Sequence, residues 1–176
     1  MQPYFIPYVG YWQLMAAVDQ FVIYDNIQYT KKGWISRNRF LRNGKAAVFS
    51  LPLKKDSSFL NVNERYLSDD FQKEAARLLR QIEGAYKKAP NFETTFTLFE
   101  KCLTYENKNL FDFIYNSIIL IKEYMGIRTR IIISSRIDID HSLSSADKVK
   151  AICYALKAKR YINPIGGLNL YSKHDF

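Results

Sequence analysis

The sequence predicts an α/β protein with a mainly parallel sheet, crossover helices, a β-hairpin and a cluster of helices in mid-chain. Two observations support this class. Strand-like and helical segments alternate near both ends of the chain, and an Asn-Gly pair at 43–44 joins two strand-like runs. The chain has 176 residues, of which 48% are hydrophobic, and this is enough for one substantial core. We therefore predict a single α/β domain over residues 1–176.

The first half of the chain supplies a helix and most of the predicted strands. After Pro7, the stretch GYWQLMAAV is typical of a short helix, and QFVIYDNIQY has the β-branched and aromatic bias of a buried strand. SRNRFLR and KAAVFSLPL flank Asn43-Gly44, a type I′ turn signal, and so predict a hairpin on which Asn38 and Arg39 face opposite sides. FLNVNERYLS predicts a further strand.

The middle of the chain is predicted to be helical. Apolar residues recur at helical spacing in three stripes that begin at Phe71, Phe92 and Phe111, and these stripes are predicted core faces. RTRIIISSRI then predicts a strand, SADKVKAICYALKAKR a helix, and YINPIGG one more short strand. Strand, helix and strand in this order imply parallel pairing.

The opening stretch QPYFIPYVGYWQL is predicted to be a loop that leads into a helix. In open α/β sheets such loops bind ligands, because they lie beyond the carboxyl ends of the strands. We expect the preceding strand to lie before Met1, and a further segment to follow the ending YSKHDF. The loop holds five aromatic residues, too many for the core, so some are expected to line a pocket: Tyr4, Phe5, Tyr8, Tyr11 and Trp12.

The net charge of +9 is concentrated in one segment. Between Lys31 and Lys45, KKGWISRNRFLRNGK carries six cations and no acid. Such a patch suits the phosphates of a polymer or a nucleotide, a membrane surface, or a solvated loop. The longest apolar helical stretch, LFDFIYNSIILIKEYMGI, contains charges and is too short to span a bilayer. Together with two unpatterned cysteines, Cys102 and Cys153, this predicts a soluble protein of the reducing cytoplasm.

The sequence offers little for a metal ion. Asp138-Ile139-Asp140-His141 has the order of a metal-binding motif, but no further acids follow it, and the two histidines are far from both cysteines. We expect no metal site, and we assign no cofactor.

Three ordered motifs carry a family resemblance: QPYFIPYVGYWQLM, FVIYDNIQYTKKGWISRNRF and YINPIGGLNLY. Together they resemble the WbqC-like family of bacteria, whose members are often encoded among genes for O-antigen and other surface polysaccharides. The resemblance implies a glycine or aminoacyl transferase that N-acylates an amino sugar. A more distant similarity concerns Rossmann-like nucleotidyltransferases with Gly-His-x-x-Leu after the first strand. Here the matching stretch is Gly10-Tyr11-Trp12-Gln13-Leu14, with tyrosine in place of the histidine.

The candidate site residues come from these motifs. Asp25 follows a predicted strand and is the candidate general base, and Tyr11 is a catalytic candidate through its place in the Gly-His-x-x-Leu comparison. Arg37, together with Lys31 or Lys32, is a candidate for holding a pyrophosphate. The candidate substrate-binding residues are Gln2, Gln28, Lys31, Trp34, Arg37, Asn38, Asn163, Gly166, Gly167 and Tyr171. We expect eight residues to line one cleft at the carboxyl edge of the sheet: Gln2, Tyr11, Asp25, Gln28, Arg37, Asn38, Gly166 and Gly167.

Each of these residues also has a purely structural interpretation. Asp25 fits a turn, the aromatic residues fit the core, the cations fit a solvated loop and the glycines fit a turn. The functional alternatives are a non-catalytic nucleic-acid-binding module and a nucleotidyltransferase-like nucleotide-binding protein. For the transferase, the expected partner is an amino sugar or nucleotide-sugar. Its acyl donor is left open among an aminoacyl adenylate, an acyl carrier and an aminoacyl-tRNA. No nucleic acid is expected as a partner, with such a tRNA donor as the one exception.

Overall fold

The computed structural model describes residues 1–143 and 145–169. The chain forms two compact units. The sheet unit holds Met1, Tyr8–Tyr24 and the described residues from Arg128 onward, and the hairpin-helix unit holds Gln2–Pro7 and Asp25–Ile127. The single domain over residues 1–176 stays a prediction.

The described residues contain five α-helices and four strands. In chain order they are α1 (Val9–Ala16), β1 (Gln20–Ile23), β2 (Arg37–Arg42), β3 (Lys45–Ser50), α2 (Phe71–Tyr86), α3 (Phe92–Leu103), α4 (Leu110–Tyr124), β4 (Arg130–Ile133) and α5 (Ser145–Ala155). Short 3₁₀ turns lie at Val62–Glu64, Ser134–Arg136 and Ile165–Asn169. The predicted α/β class is confirmed, as a small parallel sheet plus an antiparallel hairpin with helices.

The sheet unit is built on the parallel pair β1 and β4. Gln20 lies opposite Arg130 and Ile23 opposite Ile133. Phe21 and Ile23 are buried while Gln20 is exposed, as the alternation of side chains along a strand requires. On the other edge of β1, the Met1 nitrogen donates to Val22 O at 2.6 Å and Tyr24 N donates to Met1 O at 2.9 Å. The parallel pairing that the sequence predicted is thus present, on strands of four residues.

The hairpin-helix unit opens with the predicted hairpin. β2 and β3 pair antiparallel, with Arg42 opposite Lys45. Asn43 and Gly44 both have positive φ, at 51° and 73°, as a type I′ turn requires. The prediction that Asn38 and Arg39 face opposite sides is in keeping with Asn38 being half-buried and Arg39 exposed. Local turn chemistry therefore decides this register.

The helices α2, α3 and α4 complete that unit. Asn109 caps α4, because its Oδ1 accepts hydrogen bonds from Phe111 N at 3.0 Å and Asp112 N at 3.2 Å. Phe113 on α4 is fully buried and packs against the rings of Phe5 and Phe71, with centroids 5.6 Å and 5.1 Å away. All three predicted stripes lie on helices, but the second is not a full core face, because Phe92, Phe96 and Phe99 on α3 are half-buried.

Two predicted strands are wrong. FLNVNERYLS contains the 3₁₀ turn Val62–Glu64, because Glu64 Oε2 accepts a hydrogen bond from Asn61 N at 2.7 Å and closes a capping box there. YINPIGG forms no strand either. Pro164 has no N–H to offer a sheet, and the 3₁₀ turn Ile165–Asn169 follows it directly.

No helix in the described part of the chain is long and apolar enough to cross a membrane. Both cysteines are free thiols. Burial raises the pKa of Cys102 to about 12 and also raises the pKa of Cys153. Both thiols therefore stay protonated and unreactive near neutral pH.

Candidate functional site

Asp25 begins the hairpin-helix unit, where residues 25–29 run alongside residues 60–63. Tyr29 N donates to Leu60 O at 3.0 Å, and Val62 N donates to Ile27 O at 2.9 Å. These backbone bonds fix the position of Asp25, whose residue is only 4% exposed. A charged carboxylate this buried requires hydrogen-bond donors around it.

Asn63 is one of those donors. Its Nδ2 donates to Asp25 Oδ2 at 3.1 Å, and its backbone N donates to Asp25 O at the same distance. Asn109 Nδ2 in turn donates to Asn63 O at 2.7 Å. Asn63 Oδ1 is buried and has no hydrogen-bond partner within the described residues. The pair therefore offers a fixed carboxylate and a nearby acceptor that a donor such as an amine would satisfy.

Arg37 and Arg39 both approach the ring of Trp34. The Arg37 guanidinium lies 4.7 Å from the ring centroid and that of Arg39 lies 5.7 Å away. Both arginines point to the same side of β2, as residues two apart on a strand do. Trp34 is 46% exposed. Arg37 Nε is buried and lacks a hydrogen-bond partner in the part of the chain that the structure describes.

A buried arginine N–H without a partner calls for an explanation. Arg65 Nε is in the same state within the described residues, but the Nη groups of Arg65 donate to backbone carbonyls, whereas the Arg37 guanidinium donates no hydrogen bond there. A phosphate or carboxylate accepts two parallel N–H bonds from a guanidinium, often through Nε and one Nη. The cation–π contact with Trp34 restricts the position of the Arg37 guanidinium, which favours binding of such an anion. The Arg37–Trp34–Arg39 cluster is thus a candidate anion site.

A second arginine, Arg65, supports the same region from within. Its Nη1 donates to Ser57 O at 2.9 Å and its Nη2 donates to Lys54 O at 3.2 Å. Its guanidinium lies 5.1 Å from the Tyr29 ring centroid. The Tyr29 hydroxyl shares a hydrogen bond of 2.8 Å with Ser36 Oγ, next to Arg37 in the chain. This run of contacts connects the loop at residues 54–57 to the start of β2.

Asn38 faces inward and holds the opening stretch. Its Nδ2 donates to Phe5 O at 3.1 Å and also to Ile6 O, and Phe5 N donates to Ile35 O at 2.9 Å. Ile6 has a φ of 50°, which a β-branched residue rarely adopts. These contacts give Asn38 a structural role in fixing this loop, and its role in substrate binding stays a prediction.

The other predicted residues of this unit make local contacts. Gln28 Nε2 donates to Ser58 O at 3.0 Å, and Gln2 Oε1 accepts from the Tyr4 hydroxyl at 2.8 Å. Lys31 is exposed, and Lys32 beside it has a φ of 69°. The structure thus brings Arg37 and Trp34 together, whereas Gln2 and Gln28 each bind a neighbour in the fold.

Tyr11 is a core residue of the sheet unit. It is 0% exposed, and its ring packs edge-on against Trp12 and Phe21, with centroids 5.9 Å and 5.1 Å away. Tyr8, by contrast, is 62% exposed. The aromatic residues of the opening stretch are therefore divided between core and surface, and a catalytic part for Tyr11 stays a prediction.

The segment Asn163–Gly167 of the sheet unit is held by contacts between its own residues. Gly167 N donates to Pro164 O at 2.8 Å, and the Asn163 side chain lies so close to Gly167 that a Cβ there would overlap it. Gly166 has open space around it. Tyr171 lies outside the described residues. The predicted common cleft would need residues of both units, and it stays a prediction.

The Asp138–His141 segment forms a turn held by its own atoms. Asp140 Oδ1 accepts hydrogen bonds from Ser142 N at 2.9 Å and Ser142 Oγ at 2.6 Å, and these bonds lower the pKa of Asp140. His141 Nε2 lies 3.0 Å from Ile137 O. The described residues contain no group of three His, Cys, Asp or Glu side chains that is placed to hold a metal ion.

A cavity of about 630 Å³ lies in the sheet unit, between β1 and α5. Its lining includes Phe21, Tyr24, Ile152, Cys153 and Asn163. Of the predicted site residues only Asn163 lines it, and neither catalytic candidate does. A smaller cavity of about 200 Å³ lies in the hairpin-helix unit, between β3 and α2. The anion site at Arg37 is not part of either cavity.

A family model for the WbqC-like protein family matches residues 2–176. The chain belongs to this family. Across 164 residues it is 28% identical to Rv1507c, an uncharacterized protein of Mycobacterium tuberculosis (strain ATCC 25618 / H37Rv), and the match covers 93% of this chain and 70% of that protein. No solved structure gives a significant match. The resemblance read from the three sequence motifs is therefore confirmed at the level of the family.

Several residues on which the site of this WbqC-like protein depends were not predicted from the sequence. Asn63, Ser36 and Arg65 are the main ones, and each touches a predicted residue or its neighbour. Asn63 and Arg65 fall in NVNERY, which was predicted to be a strand. The one available signal was the arginine itself, since a charged residue between apolar positions is buried only when it has partners.

Proposed function

We propose that this WbqC-like protein transfers a small acyl group, glycyl or aminoacyl, to the amine of a nucleotide-activated amino sugar used in surface polysaccharide such as O-antigen. The observation that carries the proposal is Arg37, whose guanidinium lies over Trp34 and donates no hydrogen bond within the described residues, although its Nε is buried. This arrangement suits the pyrophosphate of a nucleotide-sugar. Family membership supports the reaction class, because the family resemblance implies N-acylation of an amino sugar.

In the proposed reaction the amine nitrogen of the sugar attacks the acyl carbonyl carbon. The new C–N bond forms as the bond between that carbon and the donor's leaving group breaks. The proton lost from the amine passes to the Asp25 carboxylate and then to the leaving group. Asn63 orients that carboxylate through its 3.1 Å hydrogen bond. Asn63 Oδ1, buried and without a partner among the described residues, would accept the second N–H of the amine.

The proposal extends to the fold and the location. A parallel pair such as β1 and β4, joined by a long crossover, is the unit from which Rossmann-like and nucleotidyltransferase-like sheets are built. The cytoplasm is the proposed location, since free thiols such as Cys102 and Cys153 persist in a reducing compartment.

Two measurements test the proposal. The protein is first incubated with a panel of nucleotide-activated amino sugars and acyl donors, and the sugar products are measured by mass spectrometry; a sugar heavier by one acyl group is expected. Binding of the same sugars is then measured by calorimetry. Arg37→Ala is expected to weaken it by about 1.5–3 kcal/mol, about 10- to 150-fold, because a hydrogen bond to a charged group is lost.

Arg77→Ala is the matched control, since Arg77 is an exposed cation on α2 that pairs with Glu74. It is expected to leave the affinity unchanged. An Arg37→Ala variant that binds like the wild type, or a panel in which no sugar gains mass, would count against the proposal.

A further inference from the structure

The cations of residues 31–45 exceed what a nucleotide-sugar requires. Lys31, Lys32, Arg39, Arg42 and Lys45 are exposed, and Arg37 is half-buried. None of the six forms an ion pair within the described residues, whereas Lys54, Arg77, Lys108 and Lys150 do. We call these six side chains the cationic hairpin. A pyrophosphate carries two negative charges in a nucleotide-sugar, so about four cations are left over.

The length of the cationic hairpin also favours a ligand larger than a pyrophosphate. β2 runs from Arg37 to Arg42, and five steps of about 3.4 Å make this about 17 Å. Arg37 and Arg39 lie on one face of β2, whereas Arg42 and its partner Lys45 lie on the other face, at the turn end. A single pyrophosphate cannot contact cations at both ends of a strand of this length. The matching ligand is a polyanion that carries charges along its length.

The exposed ring of Trp34 narrows the choice of polyanion. It is 46% exposed and is flanked by two guanidinium groups, those of Arg37 and Arg39. Aromatic rings and arginine planes stack on unpaired bases of single-stranded RNA. An aminoacyl-tRNA combines a charged duplex with a single-stranded acceptor end that carries the acyl group.

We infer that the cationic hairpin binds RNA, and that the acyl donor is an aminoacyl-tRNA. This inference rests on the proposed function for the identity of the acceptor, while the RNA surface rests on the hairpin alone. Arg42 and Lys45 flank the Asn43-Gly44 turn and contact the RNA backbone. Arg37 and Trp34 lie at the other end of β2, where the acceptor end and the nucleotide-sugar meet.

The test measures binding of deacylated bulk tRNA to the chain by fluorescence anisotropy over a range of salt concentrations. The double variant Arg42→Gln/Lys45→Gln is expected to reduce the slope of log K against log salt by about 1.4–1.8, since each lost phosphate contact removes about 0.7–0.9. The matched control is Lys73→Gln/Lys101→Gln, two exposed cations on α2 and α3. It is expected to keep the wild-type slope.

The outcomes separate this inference from the proposed function. Suppose tRNA does not bind, or both double variants reduce the slope equally: the inference is then overturned, while an Arg37-dependent nucleotide-sugar affinity leaves the proposed function standing. Binding of an acidic acyl carrier protein in place of tRNA also overturns it. If tRNA binds through Arg42 and Lys45 but no amino sugar gains mass, the RNA surface stands, and the proposed function and the assignment of the acyl donor both fail.

Discussion

Arg37 and Arg65 belong to the same unit and each lies over an aromatic ring, Trp34 at 4.7 Å and Tyr29 at 5.1 Å. Their guanidinium groups nevertheless differ in what they contact. Arg65 donates to two backbone carbonyls, Ser57 O and Lys54 O. Nε is buried and without a partner among the described residues in both arginines, but the guanidinium of Arg37 donates no hydrogen bond to any of those residues. The comparison teaches that stacking positions a cation, and its hydrogen bonds decide whether it serves the fold or a ligand.

Replacing Arg65 is expected to have the largest effect on stability. Arg65→Ala is expected to reduce the free energy of unfolding by about 2–4 kcal/mol, because two hydrogen bonds from a charged group are lost and the loop they hold is released. Urea denaturation measures the change. Arg37→Ala is the matched variant and is expected to change stability by less than about 0.5 kcal/mol. Equal losses for the two variants would remove the distinction between the arginines.

Asn38 lies beside Arg37 in the chain but faces inward and holds the opening stretch. Asn38→Ala is expected to reduce the free energy of unfolding by about 1–3 kcal/mol, since the carbonyls of Phe5 and Ile6 lose their donor. Arg39→Ala, on the outward face, is the control and is expected to lie within about 0.5 kcal/mol of the wild type. A stable Asn38→Ala variant would show that the opening stretch is held by other contacts.

The features that were predicted correctly from the sequence are those that residues close together in the chain determine. Asn43-Gly44 sets the hairpin, the spacing of Phe71, Ala75 and Leu78 sets α2, and the cations of residues 31–45 locate Arg37. Arg65 was missed because its partners lie at Ser57, Lys54 and Tyr29, up to 36 positions away. Burial of a charge depends on such distant partners, and periodicity does not contain them.

Tyr11 and the last motif show the same limit. Tyr11 was chosen because of its place in a motif, and its burial against Phe21 comes from tertiary packing. YINPIGG was predicted to be a strand from its apolar residues, yet Pro164 and the contact between Asn163 and Gly167 give a 3₁₀ turn instead. Short apolar runs are ambiguous in this way.

A smaller effect on stability is expected from replacing Lys32, which lies in the loop before Arg37. Its φ of 69° lies in the left-handed region, in a turn closed by Gly33 N donating to Thr30 O at 2.9 Å. Such turns favour Gly or Asn at this position. Lys32→Gly is expected to raise the free energy of unfolding by about 0.5–1 kcal/mol by relieving strain.

Lys32→Gly is also expected to reduce the slope of log K for tRNA binding against log salt by about 0.7–0.9, because one cation is removed. Lys31→Gly is the control for the backbone, since Lys31 is not among the residues with positive φ. Lys31→Gly is expected to remove a cation without raising the free energy of unfolding. A Lys32→Gly variant less stable than the wild type would contradict the strain interpretation.

The pairing of β1 with β4 bears on how the chain folds. Gln20 and Arg130 are partners, although they lie 110 positions apart, and residues Asp25–Ile127 of the hairpin-helix unit lie between them in the chain. Closing a disordered loop of that length costs roughly 3–4 kcal/mol more than closing a two-residue hairpin loop. Each of the four residue pairs between β1 and β4 offsets only a small part of this loop-closure cost. The hairpin and helices, whose contacts are local, are therefore expected to form first, and β1 and β4 are expected to pair late, once the intervening chain is compact.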